Sequence, residues 1–354
     1  MRQANIAVLL SGHGYGHVTR TANILSALCR VRPLSLRVIT SAPASLWPQA
    51  LRPHTVEWIQ EPCDAGVVQF DDLSVDEPAT RRAIEAWEEG RDSRLHRIAD
   101  TLRLGRERAN LVIGDVPPLA FEVAAAIATP SVAIANFSWD WIYDELRVPM
   151  AAESARRAYR KADLLLELTP AAPMPAFVRR RQLGTLGRDS TSRRLPARSA
   201  LGIAPTDRLV LLAFREPTLS RITLPPLREG WRFIAMQPFT RQRTDTIVIP
   251  PGLDFADALA ASDVVVAKTG YGILADCAAT ARPLLWVPRE GFPEDRVLEA
   301  WLTRQAWAKH VDRAALANGT WAAELTGAIE APAAAPLGNH ALHAACEAIV
   351  ELLS

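Results

Sequence analysis

The stretch "NIAVLLSGHGYGHVTRTANILSALCRV", residues 5–31, holds three kinds of pattern in succession. An apolar run reads as a strand. A turn follows that packs Gly12, Gly14 and Gly16 around His13 and His17. Beyond it, apolar residues recur at helical spacing, which predicts a helix. Glycines let a backbone turn tightly and let a ligand come close. A helix that starts there presents free N–H groups and the positive end of its dipole. The turn is not the GxGxxG of a dinucleotide site, because bulky residues interleave its glycines. The second strand, "LRVIT", ends in Thr40 and Ser41, where a ribose-binding acid would stand.

The same alternation continues outward. In the first half, "LRVIT", "TVEWIQ", "NLVIG", "SVAIA" and "DLLLEL" are short apolar runs. Helical patterns separate them, including the charged "EPATRRAIEAWEEGRDSRLHRIADTLRLG", read as one long helix. Continuous apolar strands between helices predict a parallel sheet covered on both faces. From Leu168 to Pro205 the texture turns to Pro, Arg, Ser and Gly. Alternation then restarts with "RLVLLAF", "WRFIAM", "DTIVI", "DVVVA" and "LLWV". The expected class is therefore α/β, with two Rossmann-like doubly wound domains. The first spans residues 1–167 and a connection spans 168–205. The second spans 206–335, and a C-terminal helix at 336–354 packs back on the first. Ligands of such sheets lie beyond the carboxyl ends of the strands, so a cleft between the two domains is the expected site.

Bulk composition narrows the function. The 354 residues carry a formal charge of +1, so no global field recruits nucleic acid or anionic lipid. Lysine is confined to Lys161, Lys268 and Lys309. Cys29, Cys63, Cys277 and Cys346 are scattered without a CxxC, which points away from structural zinc or disulfides and towards a reducing, cytoplasmic setting. No run approaches about 20 uninterrupted apolar residues, so no segment is expected to span a bilayer. The arginine-rich stretch 179–194 is read as a solvated connection. It is also the candidate surface for peripheral membrane contact, should an acceptor be a lipid. The oligomeric state is not written in the sequence.

Two imidazoles at a strand's carboxyl end suit general-base chemistry. An imidazole that serves as base needs an orienting acid, and Asp115 ends the fourth strand at the same sheet edge. The bland alternatives are a histidine that braces its turn and an Asp115 that caps the helix opening at Pro117 and Pro118. His17, at the helix start, is the chosen base. His13 is the one that braces the turn or touches a phosphate. In the second half "DVVVAKTGYGILADCAATARPLLWVPREGFPEDR" repeats the strand, glycine turn and helix, with Asp276 one turn inside that helix. "NFSWDWIYDEL", residues 136–146, interleaves aromatics with acids. It reads either as an acceptor contact through Asn136, Trp139 and Asp140, or as packing by Phe137 and Trp141.

Together these blocks resemble a GT-B nucleotide-sugar glycosyltransferase. They are similar to the bacterial lipid-linked N-acetylglucosaminyltransferases of peptidoglycan synthesis, and more so to the glycosyltransferase-like region of plant arabinokinases. The resemblance implies a UDP-sugar donor most of all, a hydroxyl acceptor, inversion, and neither metal nor other cofactor. It implies His17 as base and Asp115 as its support. It places a donor pyrophosphate on Lys268, Thr269, Gly270, Tyr271 and Gly272, the ribose on Asp276, and the sugar on Glu294 and Asp295. Gly14 and Tyr15 would border the acceptor. One departure stands out: "LLAFREP" puts Phe214, Arg215 and Glu216 where a small glycine-rich loop is expected. Arg215 either pairs with a phosphate or belongs to a loop that blocks the donor. A UDP-sugar 2-epimerase of the same fold and a non-catalytic sugar-nucleotide binder are the alternatives.

Overall fold

The computed structural model describes residues 3–105, 108–226, 228–239, 243–331, 336–338 and 340–353. In chain order the strands are β1 (Ala4–Leu10), β2 (Leu34–Thr40), β3 (Thr55–Gln60), β4 (Gln69–Asp71), β5 (Ser74–Val75), β6 (Leu111–Asp115), β7 (Ser131–Ala135), β8 (Leu164–Leu168) and β9 (Arg180–Gly184). They continue with β10 (Arg208–Ala213), β11 (Trp231–Ala235), β12 (Thr246–Val248), β13 (Val264–Lys268), β14 (Leu284–Val287) and β15 (Ala308–His310). The helices are α1 (Tyr15–Leu28), α2 (Glu77–Glu89), α3 (Arg91–Leu104), α4 (Leu119–Ala126), α5 (Trp139–Glu145), α6 (Pro149–Tyr159) and α7 (Arg194–Ala200). After them come α8 (Phe255–Ala261), α9 (Tyr271–Thr280), α10 (Asp295–Leu302), α11 (Arg313–Asn318), α12 (Ala322–Glu330) and α13 (His340–Leu352).

The chain forms two compact units. One comprises Met1–Val68, Asp76–Leu186 and Asn339–Ser354, the other Gln69–Val75 and Gly187–Gly338. Among the described residues, the first unit carries a parallel sheet in the order β3-β2-β1-β6-β7-β8-β9. The second carries a parallel sheet in the order β12-β11-β10-β13-β14-β15. In both, the central strands are buried on both faces, as their unbroken Val, Ile and Leu runs require. Strand order reverses between β1 and β6 in the first sheet and between β10 and β13 in the second. In an open α/β sheet the crevice at such a reversal is where ligands bind.

The stretch 168–205, expected to be a connection, is built into both units. Its residues Arg180–Gly184 are β9, the edge strand of the first sheet, and Arg194–Ala200 form α7 of the second unit. A sheet edge tolerates charge, and only Leu183 of β9 is buried, so the strand shows no apolar run to read. Most of the arginines of 179–194 are also paired with acids. Arg180 pairs with Glu167 at 3.0 Å, Arg181 with Glu351 at 2.7 Å, Arg193 with Asp254 at 3.2 Å and Arg194 with Asp263 at 2.6 Å. The hairpin β4–β5, inside the stretch assigned to the first domain, belongs to the second unit. The expected domain end at 335 lies outside the described residues. The single long helix expected after β3 is two helices, α2 and α3, which meet at Gly90. Helix α13 lays Ala341, Ala345, Ala348 and Ile349 into the first unit's core against α1 and β9. Among the described residues no helix is long and apolar enough to cross a membrane.

Candidate active site

At the first reversal, β1 ends at Leu10 and β6 ends at Asp115. Gly14 adopts φ 89°, the left-handed region that favours glycine, and α1 starts at the next residue. His17 therefore lies in the first turn of α1, and its Nδ1 stands 2.9 Å from Asp115 Oδ1. Asp115 is fully buried, and its two oxygens also accept from Arg20 and Thr21. Arg20 Nε donates to Oδ2 at 2.8 Å, Arg20 Nη2 donates to Oδ1, and Thr21 Oγ1 donates to Oδ2 at 2.6 Å. Burial alone would push this carboxyl up. The Arg20 guanidinium and, after it, His17 outweigh burial and hold it at about 2. An ionised carboxylate only accepts, so the bond at 2.9 Å is one in which His17 Nδ1–H donates to Asp115. An imidazole hydrogen-bonded to a buried carboxylate is the arrangement that general-base chemistry requires.

His13 has an acid of its own. Its Nε2 stands 3.8 Å from Asp64 Oδ1, too long for a hydrogen bond, and Ser11 Oγ donates to the same oxygen at 3.1 Å. Trp139 Nε1 donates to Asp64 Oδ2 at 2.8 Å. The ring of His13 lies over Gly66, at φ 63°, where an added Cβ would come within 2.0 Å of it. His13 is thus seated in the turn.

The stretch "NFSWDWIYDEL" is mostly interior. Asn136, Trp139 and Asp140 are each at most 4% exposed. The Asn136 amide is used up: Nδ2 donates to Leu168 O at 3.1 Å and Pro170 O at 2.8 Å, and Oδ1 accepts from Arg20 Nη1. The three are therefore framework rather than acceptor contacts. Tyr15 is 49% exposed beside Gly14.

The second reversal carries the donor candidates. Strand β13 ends at Lys268, and α9 begins at Tyr271 with Gly270 as N-cap and no side-chain cap. Its first-turn N–H groups form an anion-binding end. Thr269 does not join them. It is 1% exposed, its N–H donates to Val287 O at 3.0 Å, and its hydroxyl donates to Asp295. Asp295 is buried and also accepts from Arg289 N at 2.6 Å and Nε at 2.8 Å. It anchors the loop after β14, so its carboxylate is spent within the fold. Glu294, half-buried, stands 3.9 Å from Arg289. Asp276 accepts from the Arg188 backbone N–H at 2.8 Å and from its Nε at 3.1 Å. A ribose diol would have to share that carboxylate with Arg188.

Arg215 also has a partner that the sequence did not announce. Its N–H, Nε and Nη2 all donate to Asp72, at 2.6, 3.0 and 2.8 Å. Lys268 Nζ stands 3.6 Å from the same carboxylate. Burial, and then Arg289, bring the Lys268 ammonium down to about 8 against the pull of Asp72. Sequence reasoning missed Arg20, Asp64, Asp72 and Arg188. Arg20 alone left a local signal, at i+3 from His17 on one helix face.

Two parallel doubly wound sheets, each with a glycine turn and a helix start at its reversal, limit the architecture. No protein-family model matches the chain. Among solved structures, Arabidopsis thaliana UGT89C1 complexed with quercetin superimposes with a TM-score of 0.64 at 14% identity, over 100% of both chains. The calicheamicin glycosyltransferase CalG4 gives a TM-score of 0.59 at 14% identity, over 100% of this chain and 96% of that one. Acinetobacter baumannii MurG gives 0.53 at 12% identity, over 99% and 100%. The fold is GT-B. In sequence, this GT-B chain is 28% identical over 340 residues to the L-arabinokinase of Arabidopsis thaliana, which covers 91% of the chain. The GT-B chain spans about a third (32%) of that protein's length.

Proposed function

We propose that the chain transfers a sugar, with inversion, from a nucleoside-diphosphate sugar to a hydroxyl acceptor. The observation that carries this is the 2.9 Å His17–Asp115 pair at the carboxyl edge of a GT-B unit. His17 Nε2 takes the acceptor's proton as its oxygen attacks the anomeric carbon. Asp115 holds the tautomer and faces the imidazolium that forms. Charge on the leaving diphosphate falls to the α9 N-terminus and to Lys268, and the mechanism calls for no metal. UDP is the donor nucleotide we favour, since the similar structures include UGT89C1 complexed with UDP-L-rhamnose and with UDP.

A second reading, sugar-nucleotide binding without transfer, draws on the two ion pairs that occupy Asp276 and Arg215. One experiment separates the two. Calorimetry with UDP, GDP, ADP, CDP and dTDP identifies a ligand, and its nucleotide sugars are then incubated with and without hydroxyl acceptors. Transfer predicts acceptor-dependent release of the nucleoside diphosphate. Tight binding with no release under any acceptor favours the second reading.

A further inference from the structure

The second unit keeps a carboxylate in the middle of its basic cluster. Asp72 lies at the tip of the β4–β5 hairpin and is 3% exposed. Its two oxygens take a backbone N–H and two guanidinium N–H groups of Arg215 and lie beside the Lys268 ammonium. A fork of Arg N–H groups, an ammonium and a backbone N–H are the donors a phosphate takes. All of them sit at the β10–β13 reversal, where a ligand is expected. The hairpin also has contacts that do not involve this carboxylate. Glu290 N donates to Leu73 O at 2.7 Å, Val75 N donates to Glu290 O at 3.2 Å, and Arg221 pairs with Asp71 at 2.9 Å.

We propose that Asp72 is a built-in counter-anion: its carboxylate occupies the phosphate position of the donor site, and a diphosphate binds only by displacing it. The identity of the ligand as a nucleotide's diphosphate rests on the function proposed above; the occupied anion position does not. The hairpin sets donor affinity by competition. Binding releases one carboxylate from Arg215 and Lys268 and replaces it with a more highly charged anion. No covalent bond changes.

The test titrates inorganic pyrophosphate and, separately, UDP into the whole chain by calorimetry at pH 7 and low salt. Asp72→Asn removes the competing charge at constant shape. It should bind pyrophosphate about tenfold or more tightly than wild type, the effect of losing one charged competitor. Equal or weaker binding by Asp72→Asn, or no binding to either form, overturns the proposal. Should the variant not fold, hydrogen exchange of the wild-type segment 69–75 decides. Saturating pyrophosphate should speed it, and unchanged exchange overturns the displacement. A gain for pyrophosphate with no UDP bound by either form upholds the counter-anion and removes the donor reading. Equal UDP affinity in both forms does the reverse.

Discussion

Asp115 is the residue on which the first unit's chemistry converges. Four hydrogen bonds from two arginine nitrogens, a hydroxyl and an imidazole end on one buried carboxylate. Because Arg20 already neutralises much of its charge, the role proposed for Asp115 is chiefly to fix the ring and tautomer of His17. Asp115→Asn should thus lower turnover less than His17→Ala does. It should also destabilise the fold, by roughly 3–5 kcal/mol, since Arg20 is left buried without its counter-charge. Equilibrium denaturation of the variant checks this. The pH dependence has a definite sign. The folded pKa is depressed to about 2 from an ordinary 3.8, so the contribution of Asp115 is complete above about pH 4. It fades as pH falls towards 2. The stability gap between wild type and Asp115→Asn should narrow over that window, and a gap that stays constant from pH 5 to 2.5 would refute the ionised-carboxylate account.

At the scale of elements, the strands were the legible part. β1, β6, β7, β10 and β13 lie inside their sheets, so each carries an unbroken buried apolar run and that run needs no partner to be recognised. The glycine turns after β1 and β13 were legible for the same local reason. β9 was not, because an edge strand of arginines carries no periodicity. Nor were the ion pairs that fill the second unit's site. Arg215 and Asp72 are 143 residues apart, Arg188 and Asp276 are 88 apart, and folding alone brings them together. Two predictions belong here. Helix α13 is fastened by Ile349, fully buried in the first unit's core, so Ile349→Ala should cost about 2–5 kcal/mol and lower Tm. Lys268 loses its proton near 8, so nucleoside diphosphate affinity should weaken as pH rises from 7 to 9. Calorimetry across that range should show the slope in wild type and its loss in Lys268→Met.

For the whole molecule, the account divides labour between two units. In the proposed function the first holds the base, and the second holds the helix start and the cations that take the diphosphate. A nucleoside diphosphate at about 100 times its Kd stabilises what it binds by roughly 2.7 kcal/mol. That stabilisation should appear as slowed hydrogen exchange in β13 and α9 before it appears in α1. The sequence disclosed that two doubly wound units exist, because their alternation is local. It did not disclose that the 69–75 hairpin joins the second unit, because the strands β4 and β5 are too short to show a pattern. Central to the proposed transfer is His17 as the base. The most direct measurement is single-turnover release of the nucleoside diphosphate, with its best acceptor, by wild type, His17→Ala and His13→Ala. The account predicts a loss of about 10²–10⁴-fold in His17→Ala with donor affinity nearly unchanged, and a much smaller loss in His13→Ala. Wild-type rates in His17→Ala, or a collapse confined to His13→Ala, would contradict it.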